Sequence, residues 1–466
     1  MGNKSKELIN KLIHASRAWA VGDEIDACQL AGLREEAIRI NHKHYFQNIP
    51  VYRKLVLEEG LGENADVASI RKRLMLSADI FKSYDQAWLD EANFSRMTDW
   101  LSGIFHRRID IDPSYLKTMD EWIDELGKAG IHVVYSSGTS GAFSFVPRAL
   151  ADRELSRKAN TSYLSPLIVN RLTGAYPGWL AKSAIRLIPL EKLTRMITAR
   201  SLSGFDAAFL GFRCGRMGNQ ALIEELAPLF NQNYFLYDTA ITGTALRCLR
   251  RGCQTQQEHR LVRELKAVTI EHKEAGYLRM LDNLKQSTRN GRKVFIFGAP
   301  YQFMELGEVI ARHNKRLNLK KGSLALFGGG WKSFTGIELS RQTLVNMVTD
   351  TLGVPSEMVL EGYSMTEVNV LMLRCKEGRF HIPPLIEPVI FNDELDPLEG
   401  EELTGAFGFL DPLGVSCPGF IISSDQVTLT YKQCSCGLSG PSITTIGRLP
   451  GSEIKGCGGI MGSMLA

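Results

Sequence analysis

The first stretch of the chain repeats apolar residues at intervals of three and four, at Leu8, Ile9, Leu12 and Ile13 and then at Ala15 and Trp19. That spacing gathers them on one face of a helix. Lys, Glu, Arg and Ala fill the other positions, and Pro50 and Gly60-Leu61-Gly62 punctuate the run, so a mainly helical region is predicted over 1–125. From Ile131 the texture changes. Ile131-His132-Val133-Val134-Tyr135, Val294–Phe297 and Leu324–Phe327 are short apolar runs of strand length, each running into Gly or Ser. Helical stretches are predicted between them at Gly218–Asn231, Glu258–Gln286 and Leu339–Leu352. Strands alternating with helices predict an α/β fold with a mainly parallel sheet and ligand loops at the carboxyl ends of its strands. Beyond Pro383-Pro384, the segments Glu399–Phe409, Gly419–Ser423 and Gln426–Tyr431 predict a small, mostly antiparallel subdomain. The expected division is therefore a helical region 1–125, an α/β core 126–385, a β-rich subdomain 386–446 and a glycine-rich tail 447–466.

Composition adds a class to this outline. The 466 residues are 44% hydrophobic, 9% aromatic and 23% charged, the balance of a globular enzyme rather than a disordered or fibrous chain. The net charge of +4 is small, and the basic clusters Arg247–Arg263 and Arg289–Lys293 read as solvated helix faces, so no nucleic acid is expected. Met1–Lys6 leads into an amphipathic pattern rather than an apolar signal region, and no stretch nears 18 uninterrupted apolar residues. A cytoplasmic protein without a transmembrane segment is expected. Nine cysteines, an odd number spread over a long chain, fit reduced thiols better than a disulfide framework.

Candidate chemistry lies in the loops. In Tyr135–Arg148 a strand enters Ser136-Ser137-Gly138-Thr139-Ser140-Gly141, where every residue is Ser, Thr or Gly. Such a loop can aim backbone N–H groups and hydroxyls at phosphate oxygens, with Arg148 as a fixed positive charge. It lacks the Gly-Lys-Ser/Thr of a Walker loop, and an ordinary polar turn is the competing reading. In Glu361-Gly362-Tyr363-Ser364-Met365-Thr366-Glu367 an apolar run meets a glycine, an aromatic ring, a hydroxyl and a carboxylate. This spacing can set a ring against a purine and a carboxylate on Mg²⁺. A helix N-terminus explains Thr366-Glu367 equally well. Gly328-Gly329-Gly330, before Trp331 and Lys332, lets a backbone approach a flat base or serves as a flexible loop.

The two loops resemble, in order and separation, signature motifs of the adenylate-forming superfamily of acyl-CoA ligases, luciferases and adenylation domains. Ile421–Asp425 is similar to that superfamily's ribose-binding segment, and Ile446-Gly447-Arg448 to its Gly-Arg hinge. Within it, Asp79–Tyr84, Phe327–Phe334, Tyr363–Asn369, Cys434-Ser435-Cys436-Gly437 and Gly447–Cys457 resemble the LuxE-like acyl-protein synthetases. The likeness runs from about residue 40 to the C-terminus and is loose across 150–290. Phenylacetate-CoA-ligase-like enzymes share the Ser/Thr/Gly loop and the Cys-x-Cys-Gly segment.

The resemblance implies an adenylate-forming N-terminal domain that joins a carboxylic acid, expected to be a fatty acid, to ATP with Mg²⁺. It implies that Ser136, Ser137, Gly138, Thr139, Ser140, Gly141 and Arg148 hold the β,γ-phosphates and that Gly328, Gly329, Gly330 and Tyr363 flank adenine. Thr366 would touch phosphate, Glu367 would bind Mg²⁺, and Asp425 and Arg448 would hold the ribose. Only 18 residues follow Arg448, too few for the full C-terminal domain of acyl-CoA ligases and its catalytic lysine. Lys332 and Lys455 are candidate substitutes, with a surface lysine as the alternative. Cys457, among glycines, is the expected acyl acceptor, as a thioester passed to an acyl-CoA or fatty-acid reductase or a carrier protein. A stand-alone adenylating enzyme, an acid-CoA ligase and a non-catalytic subunit of a reductase complex are the other readings. A zinc site built from Cys417, Cys434, Cys436 and Cys457 lacks the usual ligand spacing and is the weaker reading of those thiols.

Overall fold

A computed structural model describes residues 3–137, 142–173, 204–331 and 338–450. The chain packs into two compact units, one of residues 1–135, 142–167 and 364–453, the other of 136–141, 168–363 and 454–466. The linear division expected at 125, 385 and 446 is thus replaced by an interleaved one. The amino-terminal helices and the carboxy-terminal sheet share a core, because their apolar faces are complementary although some 370 residues separate them.

The N-terminal part of the first unit is helical, as its spacing predicts. Helices run over Asn3–Ala20, Ala27–Asn48, Pro50–Glu58 and Val67–Arg73. Asp26 caps the second through the amides of Cys28 and Gln29, and Pro50, which needs no amide partner, opens the third. Their buried faces, with Ile38, Tyr45, Tyr52 and Ile70, form one cluster with Leu410 and Phe420. Next come the two-residue strand β1 (Leu76–Ser77), three further helices, and the strands β2 (Ile131–Ser137) and β3 (Phe143–Ala149), which pair as a two-stranded sheet. Rings of Tyr84, Trp100 and Trp122 pack against Phe145 of β3, and the Tyr84 hydroxyl accepts from the amide of Phe143. The helix Leu150–Thr173 follows.

The second unit is the α/β part. Five strands, β4 (Phe205–Cys214), β5 (Asn233–Ala240), β6 (Lys293–Gly298), β7 (Leu324–Gly328) and β8 (Val359–Tyr363), form a parallel sheet in the order β5-β4-β6-β7-β8. Helices Gly218–Leu226, Lys273–Arg289, Pro300–Arg312 and Arg341–Leu352 lie between them in sequence. The long helix expected over Glu258–Gln286 is broken: Gln256–Lys266 opens on a Thr255–Glu258 capping box and passes into a π turn at Ala267–Glu271. Two of the basic residues read as solvated are tied internally, Arg247 to Glu258 and Arg292 to Asp206.

Back in the first unit, the short strands β9 (Met372–Leu373) and β10 (Phe380–His381) precede β11 (Glu387–Phe391), β12 (Glu402–Leu410), β13 (Phe420–Thr430) and β14 (Ser442–Arg448). The sheet order is β10-β14-β13-β12-β11, antiparallel throughout, with β1 added in parallel to β13. The molecule is thus a mixed α/β protein with one parallel and one mainly antiparallel large sheet. Among the described residues no helix is long and apolar enough to cross a membrane.

Candidate functional site

Two groups of sequence-singled residues fall in the first unit. Along β13 and β14 the register places Asp425 directly opposite Arg448, and Arg448 Nη1 lies 2.7 Å from Asp425 Oδ1. Asp425 is buried and Arg448 retains partial exposure. Alternation along the strand puts both side chains on one face.

The second group is the segment from Ser364 to Leu371, which has no regular secondary structure and would be mobile if left to itself. It is tied down at every turn. Ser364 Oγ donates to the carbonyl of Val370 at 2.9 Å. From the helix Leu150–Thr173, Ser156 and Asn160 donate to the carbonyl of Asn369, and Asn160 Oδ1 accepts from the amide of Leu371. The Tyr163 hydroxyl donates to the carbonyl of Leu371 at 2.8 Å. Arg148, 9% exposed on β3, donates through Nε to Asn369 Oδ1 at 2.8 Å and through Nη2 to the carbonyl of Thr366 at 2.5 Å. Asn369 in turn donates from its amide and from Nδ2 to Asp411 Oδ2, both at 2.9 Å. Asp411 is fully buried, and burial pushes its carboxyl above the usual carboxylate range against the pull of those bonds and of Arg148. Asp152 repeats the arrangement, accepting from the amides of Val415 and Ser416 and from the Ser416 hydroxyl.

The Thr366-Glu367 pair sits within this cradle. Thr366 Oγ1 donates to Glu367 Oε2 at 2.9 Å, and the carboxylate is 8% exposed. Thr366 and Glu367 do not begin a helix, so the capping reading of these residues does not apply. Their donor set, one carboxylate and one hydroxyl, is hard oxygen chemistry and suits Mg²⁺ shared with phosphates. Arg148, read from the sequence as a phosphate ligand, has at least two of its donors committed to the loop itself.

In the second unit, β7 and β8 run parallel with Gly328 beside Gly362. A Cβ on Gly328 would lie 3.3 Å from the carbonyl oxygen of Gly362, so the close approach of the two strand ends favours glycine there. Gly329 and Gly330 then turn away at φ +84° and +62°. The glycine triplet and Tyr363 therefore leave neighbouring strands at the carboxyl edge of one parallel sheet, where ligands bind in open α/β folds. Glu361 pairs with Arg341 at the start of the next helix, N–O 3.1 Å. At the same edge of the sheet, Leu210, Phe212, Met217, Asn219, Gln220 and Tyr301 are among the residues that line a small cleft of mixed polar and apolar character.

Ser136 is buried at the end of β2 and Ser137 closes that strand. Gly138, Thr139, Ser140, Gly141, Lys332, Lys455 and Cys457 lie outside the described residues. Of the thiols grouped from sequence, Cys417 stands apart from Cys434 and Cys436. It is fully buried beside the Arg148 network, and burial pushes its thiol up to about 12, an inert core thiol rather than a ligand. The residues that hold the site, Ser156, Asn160, Tyr163, Asn369 and Asp411, were missed. Only Asn369 carried a signal, as the last residue of a quoted motif.

Comparison with known proteins bears on the same segments. Residues 264–466 match the family model described as acyl-protein synthetase, LuxE. The long-chain-fatty-acid–luciferin-component ligase of Vibrio harveyi is 22% identical over 196 residues, 41% of this chain and 50% of the relative. The chain matches about half the length of that curated relative. Among solved structures, an open conformation of 2-hydroxyisobutyryl-CoA ligase is 14% identical with a TM-score of 0.48, covering 90% of this chain and 71% of that one. ATP-bound MatB from Rhodopseudomonas palustris is 13% identical with a TM-score of 0.34, covering 76% and 52%. Residues 264–466, which include the Thr366-Glu367 loop and the Asp425–Arg448 pair, are thus similar to the LuxE acyl-protein synthetase family.

Proposed function

We propose that the chain activates a carboxylic acid, a fatty acid in the first instance, as its acyl-adenylate and then passes the acyl group to a protein thiol, Cys457. The observation that carries this reading is the cross-strand pairing of Asp425 with Arg448, two residues that the resemblance to two separate superfamily motifs marks as ribose ligands. An oxygen of the acid attacks the α-phosphorus of ATP, and the bond to the bridging oxygen breaks to release pyrophosphate. Charge accumulates on the phosphate oxygens in the transition state, so donors already fixed there lower the barrier most. Thr366 is suited to that role because seven polar groups hold its loop. Mg²⁺, held by Glu367, would supply charge neutralisation at the phosphates. Asp425 accepts from the ribose hydroxyls and Arg448 orients Asp425. Ser136 and Ser137 with Gly138–Gly141 hold the β,γ-phosphates, and Tyr363 with Gly328–Gly330 covers adenine. In the second half-reaction the Cys457 thiolate attacks the acyl carbon, AMP leaves with the electron pair of the broken C–O bond, and Lys455 nearby favours the thiolate. A fatty acyl chain is supported by the similarity to the long-chain-fatty-acid–luciferin-component ligase of Vibrio harveyi.

The test incubates the protein with ATP, Mg²⁺ and radiolabelled acids of graded length. Acid-dependent pyrophosphate exchange is expected, with at least a hundredfold loss in Glu367→Ala and Asp425→Ala. Hydroxylamine-labile label on the wild type but not on Cys457→Ser is the expected sign of self-acylation. Exchange without protein label would overturn the thiol step and leave a stand-alone adenylating enzyme. Normal exchange in both carboxylate variants would overturn the site.

A further inference from the structure

Four metal-ligating side chains in the first unit converge, of which only Cys434 and Cys436 were grouped from sequence. Cys375, His381, Cys434 and Cys436 place their ligand atoms within 4.8 Å of one another. They come from two tight turns. In the first, the amide of Cys375 donates to the carbonyl of Arg379 and the amide of Gly378 to the carbonyl of Cys375, with Gly378 at φ +81°. In the second, the amide of Gly437 donates to the carbonyl of Cys434, with Gly437 at φ +94°. Each turn thus has its own backbone bond and its own left-handed glycine, and each delivers two ligands to one point.

We propose that these four residues bind one zinc ion, a structural Cys₃His site that joins the Cys375–His381 turn to the Cys434–Gly437 turn. Distances support a tetrahedral ion. Ligands about 2.3 Å from zinc at tetrahedral angles stand roughly 3.8 Å apart. Cys375 Sγ and Cys434 Sγ are 3.8 Å apart, and Cys436 Sγ lies 3.2 Å from His381 Nε2. The amide of Leu438 points at Cys436 Sγ at 3.5 Å, the kind of N–H donor that stabilises a thiolate. His381 is 2% exposed and its Nδ1 has no hydrogen-bond partner, so no protein network explains a histidine at this place. With three soft sulfur ligands and one imidazole, zinc suits the set better than Mg²⁺ or Ca²⁺. All four positions are filled by protein, which is the mark of a structural rather than a catalytic zinc. Binding converts three thiols to thiolates, and their protons go to solvent.

The site also reaches the first helix. Trp19 Nε1 donates to the carbonyl of Ser439 at 2.8 Å, and its ring lies 6.4 Å from that of His381. Trp19 therefore reports on the cluster, and the metal fixes the turn against which the Asn3–Ala20 helix docks. The experiment measures zinc in the full chain after dialysis against a chelator-treated buffer. One equivalent per chain is expected in the wild type and less than a tenth in Cys434→Ser/Cys436→Ser, while Cys28→Ser and Cys417→Ser keep one. Chain produced with cobalt in place of zinc should show intense thiolate-to-cobalt charge-transfer bands. That measurement decides the matter even if the double variant fails to fold. Removing zinc with a strong chelator should shift Trp19 emission, a change lost in Trp19→Phe. Wild type that takes up no zinc after reduction and reconstitution, or cobalt protein without thiolate bands, would overturn the proposal. So would a double variant that holds zinc as well as the wild type.

Discussion

Replacing Arg148 by Lys separates two roles that the sequence alone leaves equal. If Arg148 serves chiefly as a positive charge for phosphate, lysine preserves that charge and little else changes. The structure gives it a second task, because Nε and Nη2 bind Asn369 Oδ1 and the carbonyl of Thr366 from a side chain buried on β3. A lysine ammonium has no planar fork and satisfies one of these acceptors at best. Hydrogen bonds from a charged donor contribute about 1.5–3 kcal/mol each, and a buried acceptor left without its donor costs about as much. Arg148→Lys should therefore destabilise the first unit by about 2–3 kcal/mol, roughly a 30- to 150-fold shift toward the unfolded state. Urea unfolding followed by tryptophan fluorescence reads this unit well, since Trp19, Trp88, Trp100 and Trp122, four of the six tryptophans, lie in it. In a double-mutant cycle, Arg148→Lys and Asn369→Ala should couple by about 1–3 kcal/mol because they share one bond. Pyrophosphate exchange should fall mainly in kcat, since the loop that presents Thr366 loses its anchor. An unchanged urea midpoint combined with a rise in KM for ATP alone would refute the positioning role and restore Arg148 as a phosphate ligand.

Two further outcomes follow from packing and titration in the same unit. Burial holds His42, His44 and His106 below the ordinary histidine range, and His44 faces His106 at a ring separation of 5.7 Å. The unfolded chain titrates near 6.5 and so binds more protons than the folded one below that value, which makes the stability these groups contribute complete above about pH 6.5 and progressively lost below it. The urea midpoint of the first unit should drop between pH 7.5 and pH 5.5, with a smaller drop in His44→Gln/His106→Gln; equal midpoints at both pH values in the wild type would contradict it. A Cβ on Gly419 would lie 2.5 Å from the carbonyl oxygen of Asp411 and 3.2 Å from the Tyr45 hydroxyl. Gly419→Ala should cost about 1–3 kcal/mol by overpacking and should loosen Asp411 with the Asn369 loop above it, visible as faster amide exchange over 364–371.

By itself the sequence determined the things that repeat or stand close together. Apolar spacing of three and four marked the N-terminal helices, short runs ending in glycine or serine marked β2, β6 and β7, and two loops of Ser, Thr, Gly, Tyr and Glu carried the likeness to acid ligases. These survive in a linear reading because a helix face, a strand and a loop are each decided within about ten residues. What only the tertiary structure decided was partnership. The register of β13 against β14 brings Asp425 to Arg448, and a slip of one residue would have turned them to opposite faces. Helices before residue 74 close their core on Leu410 and Phe420 as well as on one another. Arg148, legible as a free cation, is drawn into a buried network because an unpaired charge there would be costly. The Cys434–Cys436 pair found Cys375 and His381, not Cys417, since two separate turns had to fold before four ligands could meet. Local pattern records how a segment folds, and it holds no record of which distant segment will satisfy its buried polar groups.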